Sequence, residues 1–165
     1  MTAAARVLVA GIGNIFLGDD GFGVEVVRRL ATRPLPDGVR VVDFGIRGMD
    51  LTYALLEGYE LAILVDAAAR GAAPGTLYLL EPQLPAGAVA VLETHGMDPV
   101  KVLGLAHALG GALPALRVVG CEPATLGGDE GAMGLSVPVA AAVDGAIALV
   151  ESLVLEVCGG TTLDA

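Results

Sequence analysis

Two adjacent aspartates, Asp19 and Asp20, lie inside the glycine-rich run Gly11-Ile12-Gly13-Asn14-Ile15-Phe16-Leu17-Gly18-Asp19-Asp20-Gly21-Phe22-Gly23. The run joins an apolar stretch to a helical pattern, which invites comparison with a dinucleotide-binding turn. Such a turn needs a small residue three places after its second glycine, where helix packs on strand, and Phe16 stands there instead. The paired acids also occupy the helix start, where a pyrophosphate would lie. At ~4 Å in an intermediate dielectric, like charges repel by ~4 kcal/mol per pair. A cation is welcome at this place and a phosphate is not. A single aspartate would be accounted for as a helix cap worth ~1 kcal/mol, and Asp19 takes that reading. Two exceed what a cap requires, which leaves one acid for other chemistry.

Asp66 ends the apolar run Leu64-Val65. A carboxylate directly after a buried strand is costly to desolvate unless it is paired, hydrogen-bonded or metal-bound. Taken singly, it fits an acceptor for a neighbouring turn as well as a ligand. The chain has two histidines. His107 falls mid-helix between Ala106 and Ala108, on a packed or surface face. His95, in Glu93-Thr94-His95-Gly96-Met97, has small and polar neighbours and no periodic role, so it is the better ligand or general base. Asp20, Asp66 and His95 together make an O/O/N set, which suits a divalent first-row metal with open positions. The sequence has no HExxH or paired-cysteine motif that would indicate tightly held zinc. It also lacks a GxSxG elbow and a Cys–His nucleophile pair. Cys121 and Cys158 read as small buried apolar residues.

The elements that must position these residues alternate. Strands are expected over Arg6–Ala10, Val39–Asp43, Leu61–Asp66, Thr76–Leu80 and Leu116–Gly120. Helices are expected over Asp19–Ala31, Met49–Leu56, Pro99–Leu109 (capped by Asp98) and Pro138–Val157. Continuous apolar strands alternating with helices argue for an α/β fold: a single three-layer domain, with a mostly parallel twisted five-stranded sheet and helices on both faces. The domain spans residues 1–158, and 159–165 form a tail. In such sheets function sits outside the carboxyl ends of the strands, where Asp20, Asp66 and His95 all fall.

Bulk composition narrows the partners. The 165 residues are 55% hydrophobic and 17% charged, enough for a sizeable core without disulfides. Nine basic against nineteen acidic residues give a net charge of −10, which opposes nucleic acid or anionic lipid and suits a cation or a basic peptide. The apolar stretch from Leu135 to Val150 is interrupted by Pro138, Asp144 and Gly145, so no membrane span is expected. The two distant cysteines and the absence of a signal-like start fit a reduced, cytoplasmic setting.

GIGNIFLGDDGFG, then Val42-Asp43-Phe44-Gly45 with Gly48-Met49, then ILVDA, THGMDP and Val118-Val119-Gly120-Cys121-Glu122-Pro123 follow one another in this order. Over nearly its whole length the chain resembles the [NiFe]-hydrogenase maturation endopeptidases. In that family the second acid of the glycine-rich loop, the aspartate after the third strand and the loop histidine contact nickel. Those positions match Asp20, Asp66 and His95. The first is Glu or Asp among such proteins, so Asp20 fits with the shorter reach.

The resemblance implies a peptidase that removes the C-terminal extension of a large-subunit precursor, with nickel supplied inside the substrate as the recognition signal. Nickel polarising the scissile carbonyl, a metal-bound water, and an aspartate acting as general base all remain open chemistries. Asp43, Gly45 and Gly48, in a polar loop expected over Asp43–Asp50, are candidates for gripping the partner's tail. Asn14 either joins them or holds its own loop by side-chain hydrogen bonds. Two other classes compete: a non-catalytic nickel-binding chaperone of the hydrogenase, and a Rossmann-type nucleotide-binding module.

Overall fold

The computed structural model describes residues 6–82, 99–110, 112–128 and 130–158. The elements run β1 (Val7–Ile12), a 3-10 turn (Gly18–Gly21), α1 (Phe22–Leu30), β2 (Val39–Gly45), α2 (Gly48–Ala54), β3 (Leu61–Ala67) and β4 (Leu77–Leu80). They continue through α3 (Pro99–Ala108), β5 (Ala115–Cys121) and α4 (Val137–Cys158). The five strands form one sheet in the order β2-β1-β3-β5-β4. Its pairs are parallel except β4, which lies antiparallel on β5.

Strand alternation sorts the core into two layers. Val7, Val9, Leu61, Ile63 and Val65 face α1 and α4, meeting Phe22, Val26, Val143, Ile147 and Val150. Leu8, Ala10, Ile12, Ala62 and Leu64 face the other way, onto Leu51 and Leu55 in and after α2 and Val102 and Leu103 of α3. β1 is buried at every position, as a strand covered on both faces must be. The expected α/β sandwich is therefore present, and its strands fall where the apolar runs predict. The proposed tail, 159–165, and the Asp98 cap lie outside the described residues.

Two expectations change. The helix expected from Asp19 begins at Phe22, because residues 18–21 form a separate 3-10 turn. By length and composition α4 could cross a bilayer, longer than the interrupted stretch suggested. Here Val139, Val143, Ala146, Ile147, Val150 and Val154 are buried at spacings of three and four, so α4 is docked as a core helix.

The close seat of α1 depends on Gly23. A Cβ there would stand 2.0 Å from the Val65 carbonyl oxygen and 2.5 Å from that of Ile12. Both are backbone atoms of the two central strands, so neither can yield. The substitution Gly23→Ala is expected to cost about 3 kcal/mol and lower the melting temperature by roughly 10 °C. A calorimetric scan showing a wild-type Tm would contradict this account of the packing.

Candidate active site

One glycine-permitted contact and a set of short hydrogen bonds shape the loop after β1. Gly13 has φ +138°, and a Cβ there would fall 1.8 Å from the carbonyl oxygen of Asp20. Its amide donates to the Gly45 carbonyl at 2.9 Å, tying the loop to the end of β2. Asn14 accepts the Phe16 amide on Oδ1 at 2.9 Å and the Leu17 amide on its carbonyl at 3.1 Å. Asn14 is therefore the loop-holding residue of the two readings. The chain needs these turns to bring Asp20 back over the strand end, where Oδ2 accepts the Asn14 amide at 2.8 Å. The second oxygen of Asp20 has no hydrogen-bond partner among the described residues, and the side chain is half-buried.

Asp19 does not cap α1, contrary to the sequence expectation. Its carboxylate is fully buried and turned away from the helix. Oδ1 accepts the Ser136 amide at 2.7 Å, while Oδ2 accepts the Ser136 hydroxyl at 2.8 Å and the amides of Ala124 and Thr125 at 2.8 and 3.1 Å. Backbone bonds reinforce the join: Gly18 N–H to the Ala132 carbonyl, Ala132 N–H to that of Phe16, and Asp19 N–H to that of Thr125. Burial would raise the pKa of Asp19, but the hydrogen bonds from Ser136, Ala124 and Thr125 outweigh it and hold the group below the ordinary carboxylate value. One acid of the pair builds the loop, and its neighbour is left at the surface of the site.

Asp66 lies near the end of β3, paired in register with Gly120 of β5 and only partly buried. Its strand is the direct neighbour of β1, and the 3-10 turn carrying Asp20 packs against β3. The fold thus brings Asp20 and Asp66 to the same sheet edge. His95 lies outside the described residues, so the third member of the O/O/N set has no position here. Among the described residues no three His, Cys, Asp or Glu side chains converge as a metal site. His107 is exposed on α3.

Glu122 was legible only as part of the family pattern. It follows β5 as Asp66 ends the run of β3, and it takes the hydrogen-bonded option that a post-strand acid has open to it. It accepts the Tyr78 hydroxyl at 2.6 Å and the amides of Arg70 and Ala72 at 2.8 and 3.1 Å. The Tyr78 hydroxyl and then the Arg70 amide hold its pKa below normal against the effect of burial. It fastens the segment that leaves Asp66. Between these acids, burial pushes the Cys121 thiol up to about 11, helped by the charges of Asp19 and Glu122. Cys121 stays a thiol at neutral pH and is no nucleophile; neither cysteine is in a disulfide, and both are buried.

The remaining candidates separate. Asn14, Asp43 and Gly45 line one cleft of about 230 Å³, together with Ile15, Phe16 and Ile46. Gly48 does not line it and instead opens α2. The loop expected over Asp43–Asp50 is short and tied down: Arg47 donates to the Phe44 and Asp43 carbonyls and pairs with Asp50 at 3.1 Å. Ile15, Phe16 and Ile46 line this cleft but were not among the sequence candidates. Their signal was the presence of large apolar side chains in otherwise polar, glycine-rich turns.

A family model described as hydrogenase maturation protease matches residues 24–153. The hydrogenase 2 maturation protease of Escherichia coli is 33% identical over 144 residues, covering 86% of each chain. The hydrogenase expression/formation protein HupD of Rhodobacter capsulatus is 38% identical over 146 residues, which is 87% of this chain and 68% of HupD. Among solved structures, the hydrogenase maturating endopeptidase HybD from E. coli matches with a TM-score of 0.75 at 33% identity, over 92% of this chain and 93% of that one. A hydrogenase 2 maturation peptidase from a Thaumarchaeota archaeon matches with a TM-score of 0.68 at 34% identity, over 93% and 98% of the two chains. The chain belongs to the hydrogenase maturation protease family. The dinucleotide-binding alternative is set aside by this membership, and by a turn that enters a 3-10 segment before the helix.

Asp19→Ala would strand three backbone N–H groups and a hydroxyl, at a cost on the order of 3 kcal/mol. Asp19 and Glu122 both have folded pKa values below their unfolded ones. Their contribution to stability is therefore present above ~4 and is lost as pH falls through the folded values. Urea titrations should show wild-type stability declining steeply below about pH 4. Asp19→Asn should start lower at neutral pH and decline less steeply in that range. Parallel curves for the two proteins would sink this assignment.

Proposed function

We propose that this chain is the cytoplasmic endopeptidase that removes the C-terminal extension of a nickel-loaded [NiFe]-hydrogenase large-subunit precursor. Asp20, Asp66 and His95 would meet the nickel carried by that substrate. The observation that carries this reading is the state of Asp20. One oxygen is held by the Asn14 amide at 2.8 Å, and the other has no hydrogen-bond partner among the described residues, in a half-buried position beside β3. A carboxylate oriented through one oxygen and open through the other is organised to receive a cation without first rearranging. The turns that orient Asp20 are held by backbone hydrogen bonds, and its one unpartnered oxygen suits a cation brought by the substrate. The net charge of −10 favours the approach of a cationic partner surface.

Nickel would supply polarisation of the scissile carbonyl. The protein's own contribution is orientation and proton transfer. A carboxylate at the carboxyl end of β1 or β3 can take a proton from the attacking water and return it to the leaving amine.

Asp20→Asn, Asp66→Asn and His95→Ala are each expected to abolish processing while the fold stays intact. Asparagine at position 20 can still accept the Asn14 amide. The direct test incubates the protein with its large-subunit precursor, with and without inserted nickel, and follows precursor length on a gel. Shortening of the nickel-loaded form alone, lost in the His95 variant, supports peptidase and metal-gated recognition together. Binding without shortening supports the chaperone alternative, and normal processing by two of the three variants would overturn the site.

A further inference from the structure

Phe16 is 62% exposed, although the backbone around it is pinned on both sides. Its amide donates to Asn14 Oδ1, and its carbonyl accepts from Ala132. Ile46, 57% exposed, stands across the cleft in the turn between β2 and α2, which Arg47 ties to the Phe44 and Asp43 carbonyls. Two large apolar side chains held in solvent by rigid turns carry little ordering cost on contact, which is the arrangement of a preorganised binding surface. The cleft between them, about 230 Å³, is smaller than the usual small-molecule pocket and of a size for one side chain.

Its chemistry restricts the occupant. Ile15, Phe16, Val24 and Ile46 supply apolar walls. The charged residues lining it, Arg28 and Asp43, face one another at 3.7 Å and offset each other. A charged side chain would find no unpaired counter-charge there, whereas an aliphatic one would remove the walls from water. The cleft is also adjacent to the reaction. The Asn14 peptide that lines it donates to Asp20 Oδ2, so one peptide unit separates cleft from carboxylate.

We infer that this cleft is a specificity subsite, receiving a neutral aliphatic side chain of the precursor within a few residues of the scissile bond. The inference rests on the peptidase reading and adds to it a determinant of sequence preference. Asp43 and Gly45 shape the rim, while Phe16 and Ile46 supply the contact.

The test measures cleavage of the nickel-loaded large-subunit precursor at a series of concentrations. Phe16→Ala and Ile46→Ala are expected to raise KM on the order of tenfold with kcat within about twofold, the pattern of lost uniform binding. Circular dichroism and melting temperature should stay at wild-type values, because both side chains are exposed. A second arm replaces each aliphatic residue flanking the scissile bond by Asp, one at a time. The residue that seats in the cleft is the one whose Asp variant is cut poorly by wild type and better by Ile46→Lys. Wild-type cleavage with unchanged KM in both alanine variants would overturn the subsite and leave the peptidase reading standing. A precursor left uncut by the wild type overturns both.

Discussion

Burying a carboxylate costs several kcal/mol unless its lone pairs are met, and Asp19 is met by groups 105 to 117 residues further along the chain. Much else in the site depends on this. Among the described residues of 124–136 there is no regular secondary structure beyond the bridge of Leu17 to Ala132, so Asp19 serves as their anchor. The same bonds fasten the 3-10 turn Gly18–Gly21 that precedes α1. The next residue, Asp20, lies in that turn and accepts the Asn14 amide after β1, and is not in the first turn of α1. Two chemically identical neighbours thus have opposite fates, set by which one the distant backbone reaches.

Glu122 repeats the device on the other side. Its three donors come from the segment after Asp66 and from β4, so the exit of β3 is clamped by an acid from the exit of β5. Asp20 and Asp66, the acids proposed for chemistry, are thereby each flanked by an acid whose carboxylate is taken up by hydrogen bonds. The arrangement separates orientation from reactivity. Hydrogen-bonded carboxylates with lowered pKa values fix the loops, while Asp20 keeps one oxygen without a hydrogen-bond partner among the described residues.

The sheet was legible in the sequence because β1, β3 and β5 are apolar runs, rich in β-branched residues, that have one explanation. The start of α1 was not. Local rules favour aspartate as a cap, and the reason it fails here is a contact with Ser136 that no local window contains. Asp66 was found by the cost of an acid after a buried strand, and the same cost applies to Glu122, whose donors at Arg70, Ala72 and Tyr78 lie outside any local window. Of Asn14, Asp43, Gly45 and Gly48, read together as contacts for the partner's tail, the first three line one cleft and Gly48 opens α2. Phe16 was noticed only as an obstacle to nucleotide binding, since exposure of an apolar residue is invisible until its surroundings are known.

The long reach of Asp19 also orders events during synthesis. Until residues 124–136 have left the ribosome, the β1–α1 loop holds an acid with none of its intended donors, and α1 lacks the α4 surface against which it packs. Contacts of such sequence separation form late. A nascent or prematurely ended chain therefore has a sheet before it has a cutting edge. For an enzyme that cuts protein, a loop anchored by residues 124 and 136 ties the shape of the site to near-complete synthesis of the chain.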